Sequence, residues 1–461
     1  MPFLSFAIEG RRAAFFALEV ALIAFVFWIA HQALGYDLWT ETSFDGFLRQ
    51  AILPTALVVA AIIAFGGYQP DTQDQPGEMV QRVSLGVLCG GVAVLAISII
   101  FFGDNRPATP LIAGLAGSTA GLVGLRLGLS RVHIDTFQTN ILVLGAGTRS
   151  AKLLSTLSDA AKSRIVGLAP CKSDREEGAA AGFNILRAEG DESFADMVRR
   201  RKVSEIIVAL DDRRGGSFPM RELIDCRMRG VGVTDANTFI ERETGKVDLD
   251  NLYPSWLVFS PGFKAGRVRD ALKRVIDLFF SIALLAFFFP LLVGTAILIK
   301  LESPGPVFYL QTRVGQNGIP FRLVKFRSMR SDAEKDGAVW ARKNDARVTR
   351  VGKVIRKIRI DEIPQAINVL RGEMSFVGPR PERPEFVQML ADEIDYYDER
   401  HRVKPGITGW AQVNYPYGAS VEDAREKLKY DLFYMKNYSG VFDLSIILQT
   451  IRVMLFALGG R

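Results

Sequence analysis

Four long apolar runs lie near the start of the chain, at about Ala13–Leu34, Ala51–Tyr68, Val83–Phe102 and Pro110–Leu129. Each approaches the ~20 residues that a helix needs to cross a bilayer. Four such runs in succession, separated by short polar breaks, are unusual in a core surrounded by water. Residues 1–137 are therefore expected to form four transmembrane helices. Arg11 and Arg12 precede the first run, and Arg126 and Arg131 border the last. Cytoplasmic flanks carry the excess of positive charge, so both ends are expected in the cytoplasm. The loop with Asp71, Asp74, Glu78 and Arg82 would face the same side and supports this poorly; the even number of runs carries more weight. The N-terminus lacks the short apolar region and small-residue cleavage site of a secretory signal, so the first run reads as a retained anchor.

The composition agrees with apolar and charged stretches kept apart along the chain: 49% of residues are hydrophobic, yet 23% are charged. The formal net charge is +7 over 461 residues, with much of the excess in the C-terminal third. Basic charge suits nucleic acid, anionic lipid or phosphorylated small molecules, and by itself does not choose among them. The three cysteines, Cys89, Cys171 and Cys226, form no CxxC pair and no even disulfide framework, which fits a reduced cytosolic face. With three histidines (His31, His133 and His401), neither a histidine-rich metal site nor a Ser-His-Asp triad is expected. Any metal should be a hard one held by carboxylates.

From Asn140 the pattern changes. Ile141–Leu144 reads as a short buried strand, followed by Gly145-Ala-Gly147-Thr-Arg-Ser150 and a helical stretch over Ala151–Leu157. Further strands are expected at Arg164–Leu168 and Ile206–Leu210. Strand and helix in alternation predict a Rossmann-like α/β domain over residues 138–247. Gly145 and Gly147 could let backbone N–H groups at a helix N-terminus hold a nucleotide phosphate. The fingerprint is incomplete, because Ser150 occupies its third glycine position and no ribose-binding acid follows the second strand. A structural or regulatory module is the alternative.

A linker at 248–266, with Pro254 and Pro261, leads to Arg267, Arg269, Lys273 and Arg274 and then to an apolar run, Leu278–Ile299. Lys300 and Arg313 follow. Basic residues at both ends argue that both ends lie in the cytoplasm, and Pro290 interrupts the run. Proline has no N–H and clashes with the preceding turn, at a cost of ~3 kcal/mol inside a helix. A re-entrant membrane hairpin over about 272–300, bent at Phe289-Pro290, satisfies these observations; a kinked true span is the alternative.

The remaining chain, within 267–461, carries the chemistry. Ser303-Pro-Gly-Pro306 returns the chain from the hairpin. Phe321–Met329 alternates like a strand and bears Lys325 and Arg327. A basic stretch from Arg347 to Arg359, interleaved with valines and isoleucines, could lie on lipid with one face. Asp361-Glu362-Ile363-Pro364 follows, with Pro364 suited to a first helical turn and Gly372 to the C-terminal cap. Helix capping is the ordinary role of acids there. Two adjacent acids beside so many cations should stay ionised and can serve as nucleophile or Mg²⁺ ligand. Next, Met374–Arg383 is a proline-stiffened loop presenting Arg380 and Arg383, whose guanidinium forks suit phosphate oxygens. Lys404-Pro-Gly-Ile-Thr-Gly-Trp-Ala-Gln-Val-Asn414 is a further rigid turn.

In order and spacing, Lys325–Met329, Ile360–Pro364, Asn368–Pro381 and Lys404–Asn414 resemble the bacterial sugar transferases, the monotopic polyprenyl-phosphate phosphoglycosyltransferases. The likeness covers about residues 268–461. The front half is similar to larger members with four spans and a Rossmann-like domain, and Val247–Leu257 resembles an exopolysaccharide-associated subgroup. The fold so implied is a membrane protein, α plus α/β, with a C-terminal α/β catalytic domain carrying the hairpin, at a bacterial inner membrane with that domain on its cytoplasmic face. The resemblance implies that Asp361 attacks the β-phosphorus of a UDP-sugar and releases UMP. Undecaprenyl phosphate then takes the sugar phosphate from the aspartyl intermediate. It further implies a supporting role for Glu362, Mg²⁺ held partly by Asp361 and Glu362, and phosphate contacts from Lys325, Arg327, Arg380 and Arg383. The expected partners are the UDP-sugar, undecaprenyl phosphate and the lipid bilayer; a homo-oligomer is left open, and nucleic acid is not expected. Many relatives have Ser-Pro at the hairpin bend where this chain has Phe289-Pro290.

Two other classes share parts of this pattern. A membrane-anchored nucleotide-sugar dehydratase or epimerase needs a second dinucleotide fold with a Tyr-x-x-x-Lys pair, and no tyrosine after residue 270 has lysine four positions later. A non-catalytic scaffold for polysaccharide assembly would make Asp361, Glu362 and Arg380 structural.

Overall fold

The computed structural model describes residues 10–34, 48–67, 76–102, 109–131, 140–171, 182–187, 192–211, 219–249, 266–330, 347–415, 418 and 420–455. The chain forms two compact units, Met1–Asp248 and Leu249–Arg461. The expected linker at 248–266, apart from its ends, lies outside the described residues, as does the loop around Asp71 and Asp74.

The first unit opens with helices α1 (Gly10–Ala33), α2 (Leu53–Ala64, preceded by a π-turn over Leu48–Ile52), α3 (Pro76–Phe102) and α4 (Thr109–Arg131). Among the described residues, three segments are long and apolar enough to cross a membrane: Ala14–Ala33, Met79–Ile99 and Thr109–Gly128. The second expected span is shorter, an apolar helical stretch over Gln50–Ala64. The helices interlock through Ile23, Phe27, Val58, Ile62, Val83, Val87 and Leu122. Gly86 and Gly90 face α2 so closely that a Cβ would lie 2.7 Å from the Ile62 Cα and 2.6 Å from the Val58 Cα. Small residues four apart let two apolar helices approach to backbone contact, as membrane helices require. Arg126, expected only as a flanking charge, is buried and paired with Glu19 at 2.6 Å, and it also donates to the Gly67 carbonyl.

The unit continues as an α/β region: β1 (Ile141–Leu144), α5 (Thr148–Thr156), α6 (Asp159–Ser163), β2 (Ile165–Ala169), α7 (Phe194–Arg200), β3 (Glu205–Val208), α8 (Met220–Met228), β4 (Gly232–Asp235) and α9 (Ala236–Thr244). The strands pair in parallel in the order β2-β1-β3-β4. Ile141 and Val143 pack with Leu153, Ile207 and Phe239 in one cluster. Leu142 and Leu144 pack with Val198, Ile206 and Leu223 in another. A strand covered on both faces has no reason to alternate, which is why β1 reads as an unbroken apolar run.

The second unit begins with α10 (Arg267–Phe287) and α11 (Phe289–Glu302), bent by 62° where they meet. The break falls at Phe288, and Pro290 sits in the first turn of α11, where its missing N–H costs nothing. Then follow β5 (Phe308–Val314), β6 (Pro320–Phe326), α12 (Arg350–Lys357), a 3-10 turn over Ile360–Gln365, α13 (Ala366–Arg371), β7 (Ser375–Val377) and α14 (Pro384–Glu393). A second 3-10 turn over Tyr397–Arg402, β8 (Gly406–Thr408), α15 (Trp410–Asn414), α16 (Val421–Asn437) and α17 (Gly440–Leu455) complete it. Strands β5 and β6 form an antiparallel hairpin, with Tyr309 opposite Lys325, and β7 pairs in parallel with β8.

Both ends of the bent helix pair are fastened to this one body. On α10, Lys273 donates to the Val377 carbonyl and pairs with Asp443 at 2.7 Å. Arg274 caps the Val369 and Leu370 carbonyls, and Asp277 accepts from Ser375 and the Phe376 N–H. At the end of α11, Glu302 accepts from the Arg350 and Val351 N–H groups, while Ile299 packs with Ile355, Ile360 and Ile363. Between these anchors, Val275, Phe279, Phe287, Phe289 and Ile297 are exposed.

Candidate active site

The carboxylate pair sits in the 3-10 turn between α12 and α13. The residue ahead of the turn, Arg359, has φ +59° and ψ 17°, a left-handed conformation that costs a non-glycine residue of order 1–2 kcal/mol. Backbone held in such a state is one mark of a functional constraint. At the far end Gly372 closes α13 with φ +86°, as its place in the sequence led us to expect.

Asp361 and Glu362 are neighbours with different surroundings. Glu362 meets three cations: Arg380 Nη2 at 2.5 Å, Lys325 Nζ at 3.4 Å and Arg359 Nη1 at 3.5 Å. Burial alone would raise its pKa, but Arg380, Lys325 and Arg359 together outweigh burial and hold it well below the usual glutamate range. Asp361 is equally buried, and its Oδ1 has no hydrogen-bond partner. Burial, followed by the charge of Glu362, pushes its pKa up to about 6, against the pull of Lys325, Arg356 and Arg359. The expectation that nearby cations favour ionised carboxylates thus fits Glu362; for Asp361, desolvation is the larger effect. Lys325 is lowered to about 8, by burial first and then by nearby arginines, with Glu362 opposing.

The cations around Glu362 are placed by the fold. Asn368, fully buried on α13, accepts from the Val324 N–H and donates to the Arg322 carbonyl, so it stitches β6 to α13 and brings Lys325 opposite Glu362. The Arg380 loop is clamped along its backbone. Arg400 donates to the carbonyl of Arg380, Arg313 to that of Pro381, and the Val314 N–H to that of Glu382. Arg400 is itself buried and paired with Asp431 at 2.8 Å. Gly378 and Gly406 bring β7 and β8 so close that a Cβ on either would collide with the other strand's backbone.

The structure therefore gathers Asp361, Glu362, Lys325 and Arg380 but leaves Arg327 out. Arg327 is buried, and its guanidinium donates to the carbonyls of Ser303 and Pro304, capping the exit of α11. Strand alternation would put it on the same face as Lys325, two residues earlier, but β6 ends at Phe326, and beyond that point alternation no longer fixes direction. Arg383 stands at the N-cap of α14, 3.7 Å from Glu385. Sequence reasoning had Arg359 only in a general basic run and passed over the roles of Arg313 and Arg400. No motif signals such backbone clamps, because their partners are carbonyls distant in sequence.

The glycine turn of the first unit is closed from within. The Thr148 and Arg149 N–H groups, where a phosphate bound by Gly145 and Gly147 would sit, donate instead to the carboxylate of Asp211 at 3.0 and 2.8 Å. A Cβ on Gly147 would collide with that carboxylate.

The site thus sets a buried carboxylate with an unpartnered oxygen beside a second carboxylate bound by three cations, on a body that carries an apolar bent helix pair. The family described as bacterial sugar transferase matches residues 268–457. A UDP-N-acetylgalactosamine-undecaprenyl-phosphate N-acetylgalactosaminephosphotransferase of Aeromonas hydrophila is 44% identical over 251 residues, 54% of this chain and 58% of that protein. A UDP-glucose:undecaprenyl-phosphate glucose-1-phosphate transferase of Caulobacter vibrioides is 42% identical over 202 residues, 43% of this chain and 76% of that protein. An exopolysaccharide production protein of Rhizobium leguminosarum is 42% identical over 186 residues, 39% of this chain and 93% of that protein. This chain belongs to the bacterial sugar transferase family. The match spans little more than half the length of the Aeromonas relative.

Proposed function

We propose that this chain is an initiating phosphoglycosyltransferase, moving a hexose-1-phosphate from a UDP-sugar to undecaprenyl phosphate and releasing UMP. The observation that carries the reading is the pairing of Asp361, buried with an unpartnered oxygen, with Glu362, held ionised by Lys325, Arg359 and Arg380. With a pKa of about 6, Asp361 is about nine-tenths ionised at pH 7 yet more basic than an ordinary aspartate. Its oxygen forms a bond to the β-phosphorus, the bond from that phosphorus to the bridging oxygen breaks, and UMP leaves with the electron pair. An oxygen of the lipid phosphate then attacks the same phosphorus, the aspartyl–phosphorus bond breaks, and the carboxylate is regenerated. Arg380 and Lys325, fixed beside the dyad, would neutralise phosphoryl oxygens in both steps, the positioning and electrostatics that dominate phosphoryl transfer.

Magnesium fits this site in part. No group of three acids, cysteines or histidines suited to a metal occurs among the described residues. Mg²⁺ commonly takes one or two carboxylates and leaves its other positions to water and substrate phosphates. Asp361 is the acid with an oxygen to spare, whereas Glu362 is already engaged. When bound, the ion would offset charge on the diphosphate.

The bent pair α10–α11 is read as a re-entrant hairpin, since Lys273, Arg274 and Asp277 at one end and Glu302 at the other bind the same body, which can lie on only one side of a bilayer. The four N-terminal helices are read as spans, and the parallel sheet as a Rossmann-like domain. Nucleotide sugars are cytoplasmic, so the catalytic unit is assigned to that face of the inner membrane.

The test is nucleotide release from a panel of UDP-sugars with Mg²⁺ and undecaprenyl phosphate, comparing the native chain with Asp361→Asn. UMP release lost in the variant is the expected result, and the active donor names the sugar. UDP release would mean ordinary glycosyl transfer. UMP release that survives Asp361→Asn would remove Asp361 from the chemistry.

A further inference from the structure

We infer that Lys404 and Arg274, where the hairpin enters the membrane, form a binding site for a lipid-borne phosphate. Arg274 Nη2 and Lys404 Nζ each lie 3.8 Å from where a Cβ on Gly372 would stand, so the two cations are less than twice that distance apart. Glycine at this position leaves the space between them open. Arg274 is held by the Val369 and Leu370 carbonyls, so it contributes charge without taking up an anion. Lys273, the next cation inward, is satisfied by Asp443, and the nearby Asp277 is bound by Ser375 and the Phe376 N–H. Lys404 has no ion-pair or hydrogen-bond partner for its ammonium among the described residues. The local set of Lys273, Arg274 and Lys404 against Asp277 and Asp443 is left with one uncompensated positive charge, and it sits on Lys404.

A surface lysine without a partner is ordinary, but Lys404 is half-buried and rigidly held. The Ser375 N–H binds the carbonyl of Pro405, and the Gly406 N–H binds that of Pro379, so the backbone on its C-terminal side is part of the β7–β8 ladder. Burial first, then the charges of Arg274 and Lys273, lower its pKa, with Asp277 opposing. An anion would relieve both the burial cost and the repulsion. The chemistry of that anion follows from its surroundings. Val268, Leu272 and Val275, along the same stretch of α10 as Arg274, are exposed apolar side chains. Apolar residues mixed with cations at the entry of a membrane helix fit the headgroup layer, where the available anion is a phosphate attached to a hydrocarbon chain. Two lipids supply it, the polyprenyl phosphate acceptor and the bulk anionic phospholipid.

This inference rests on the proposed function only for the acceptor arm. The full-length chain in phosphatidylcholine nanodiscs, native, Lys404→Met and Lys404→Arg, would be assayed for single-turnover UMP release without acceptor and for KM of undecaprenyl phosphate. Binding to vesicles with and without phosphatidylglycerol would be measured in parallel. Lys404→Met keeps the aliphatic stem and removes the charge. Its expected effect is a KM for undecaprenyl phosphate raised about tenfold, the loss of roughly one charge-assisted hydrogen bond, with KM for the UDP-sugar unchanged and Lys404→Arg restoring the native value. If acceptor KM is unchanged but phosphatidylglycerol-dependent binding falls in Lys404→Met and returns in Lys404→Arg, the phosphate is that of the bulk phospholipid. If neither changes, the site is refuted. If the native chain releases no UMP, the proposed function fails, and the vesicle measurement still decides whether Lys404 binds lipid phosphate.

Discussion

Replacing Glu362 by glutamine removes the charge that, after burial, does most to raise Asp361. Adjacent carboxylates roughly 6 Å apart repel by roughly 3 kcal/mol at an effective dielectric constant of ~20. Halving that for relaxation and solvent leaves about one pKa unit at 1.36 kcal/mol per unit. The Asp361 pKa, about 6 in the native chain, should therefore fall to about 5. The sign follows from which form reacts. In the proposed mechanism the nucleophile is the ionised carboxylate, so the first half-reaction should be lost as pH falls through the folded-state pKa, and a lower pKa moves that loss to lower pH. Between pH 7 and pH 5 the native ionised fraction drops about tenfold, whereas the variant's drops about twofold. In the native chain neighbouring groups leave this window clear. Glu362 itself titrates well below it, Lys325 near 8 and His401 near 4. The assay is rapid-quench measurement of single-turnover UMP release at a series of pH values, each chain normalised to its own rate at pH 7. The slower absolute rate expected without Glu362 does not enter that ratio. An acid limb that stays at about 6 or moves upward would refute the electrostatic account of the dyad, and the pair would have to be described by shared titration steps instead.

Three other outcomes are expected. Arg327→Met should lower the thermal unfolding temperature, since it strands buried carbonyls at the end of α11 at roughly 1–3 kcal/mol each, while KM for the donor stays unchanged; a raised KM would restore Arg327 as a phosphate ligand. Asp431→Asn should cost about 3–5 kcal/mol by leaving Arg400 buried and unpaired, and the Arg400→Leu/Asp431→Leu double variant should regain stability but not activity, because the Arg380 carbonyl still lacks its donor. Calorimetry and UMP release on the same samples separate the two effects. Asp211→Ala should speed hydrogen exchange at the Thr148 and Arg149 amides and leave UMP release within twofold of native; a large loss of release would tie the glycine turn to catalysis.

The acids and Arg380 of the candidate site were legible because they sit in short, rigid stretches. Asp361 and Glu362 are adjacent in sequence, Pro364 and Gly372 mark a helix start and stop, and prolines flank Arg380, so each stretch is rigid on local grounds, while their meeting is left to the fold. The bend between α10 and α11 was legible for a related reason: a proline inside an apolar run favours a break in the helix there. Even so, its break falls at Phe288, one residue before the expected bend, since proline tolerates a first turn better than the corner itself. The strands of the α/β region also followed from local apolar runs, apart from β4 (Gly-Val-Thr-Asp), whose residues are only partly buried and give no such run.

Tertiary structure alone decided the rest. Which of two adjacent acids is held ionised and which is left with a raised pKa depends on how many cations reach each, and Lys325, Arg359 and Arg380 arrive from three separate elements. Asp211 closes the glycine turn from 62 and 63 residues away, and Arg400 supports Arg380 through a backbone carbonyl. Arg327, two residues from Lys325 and chemically similar to a phosphate ligand, is turned inward to cap a helix. Composition and local backbone preference over a few residues were enough to place the segments. Desolvation and charge pairing depend on what packs against a group from elsewhere in the chain, so the division of labour within the site appears only once the chain has folded.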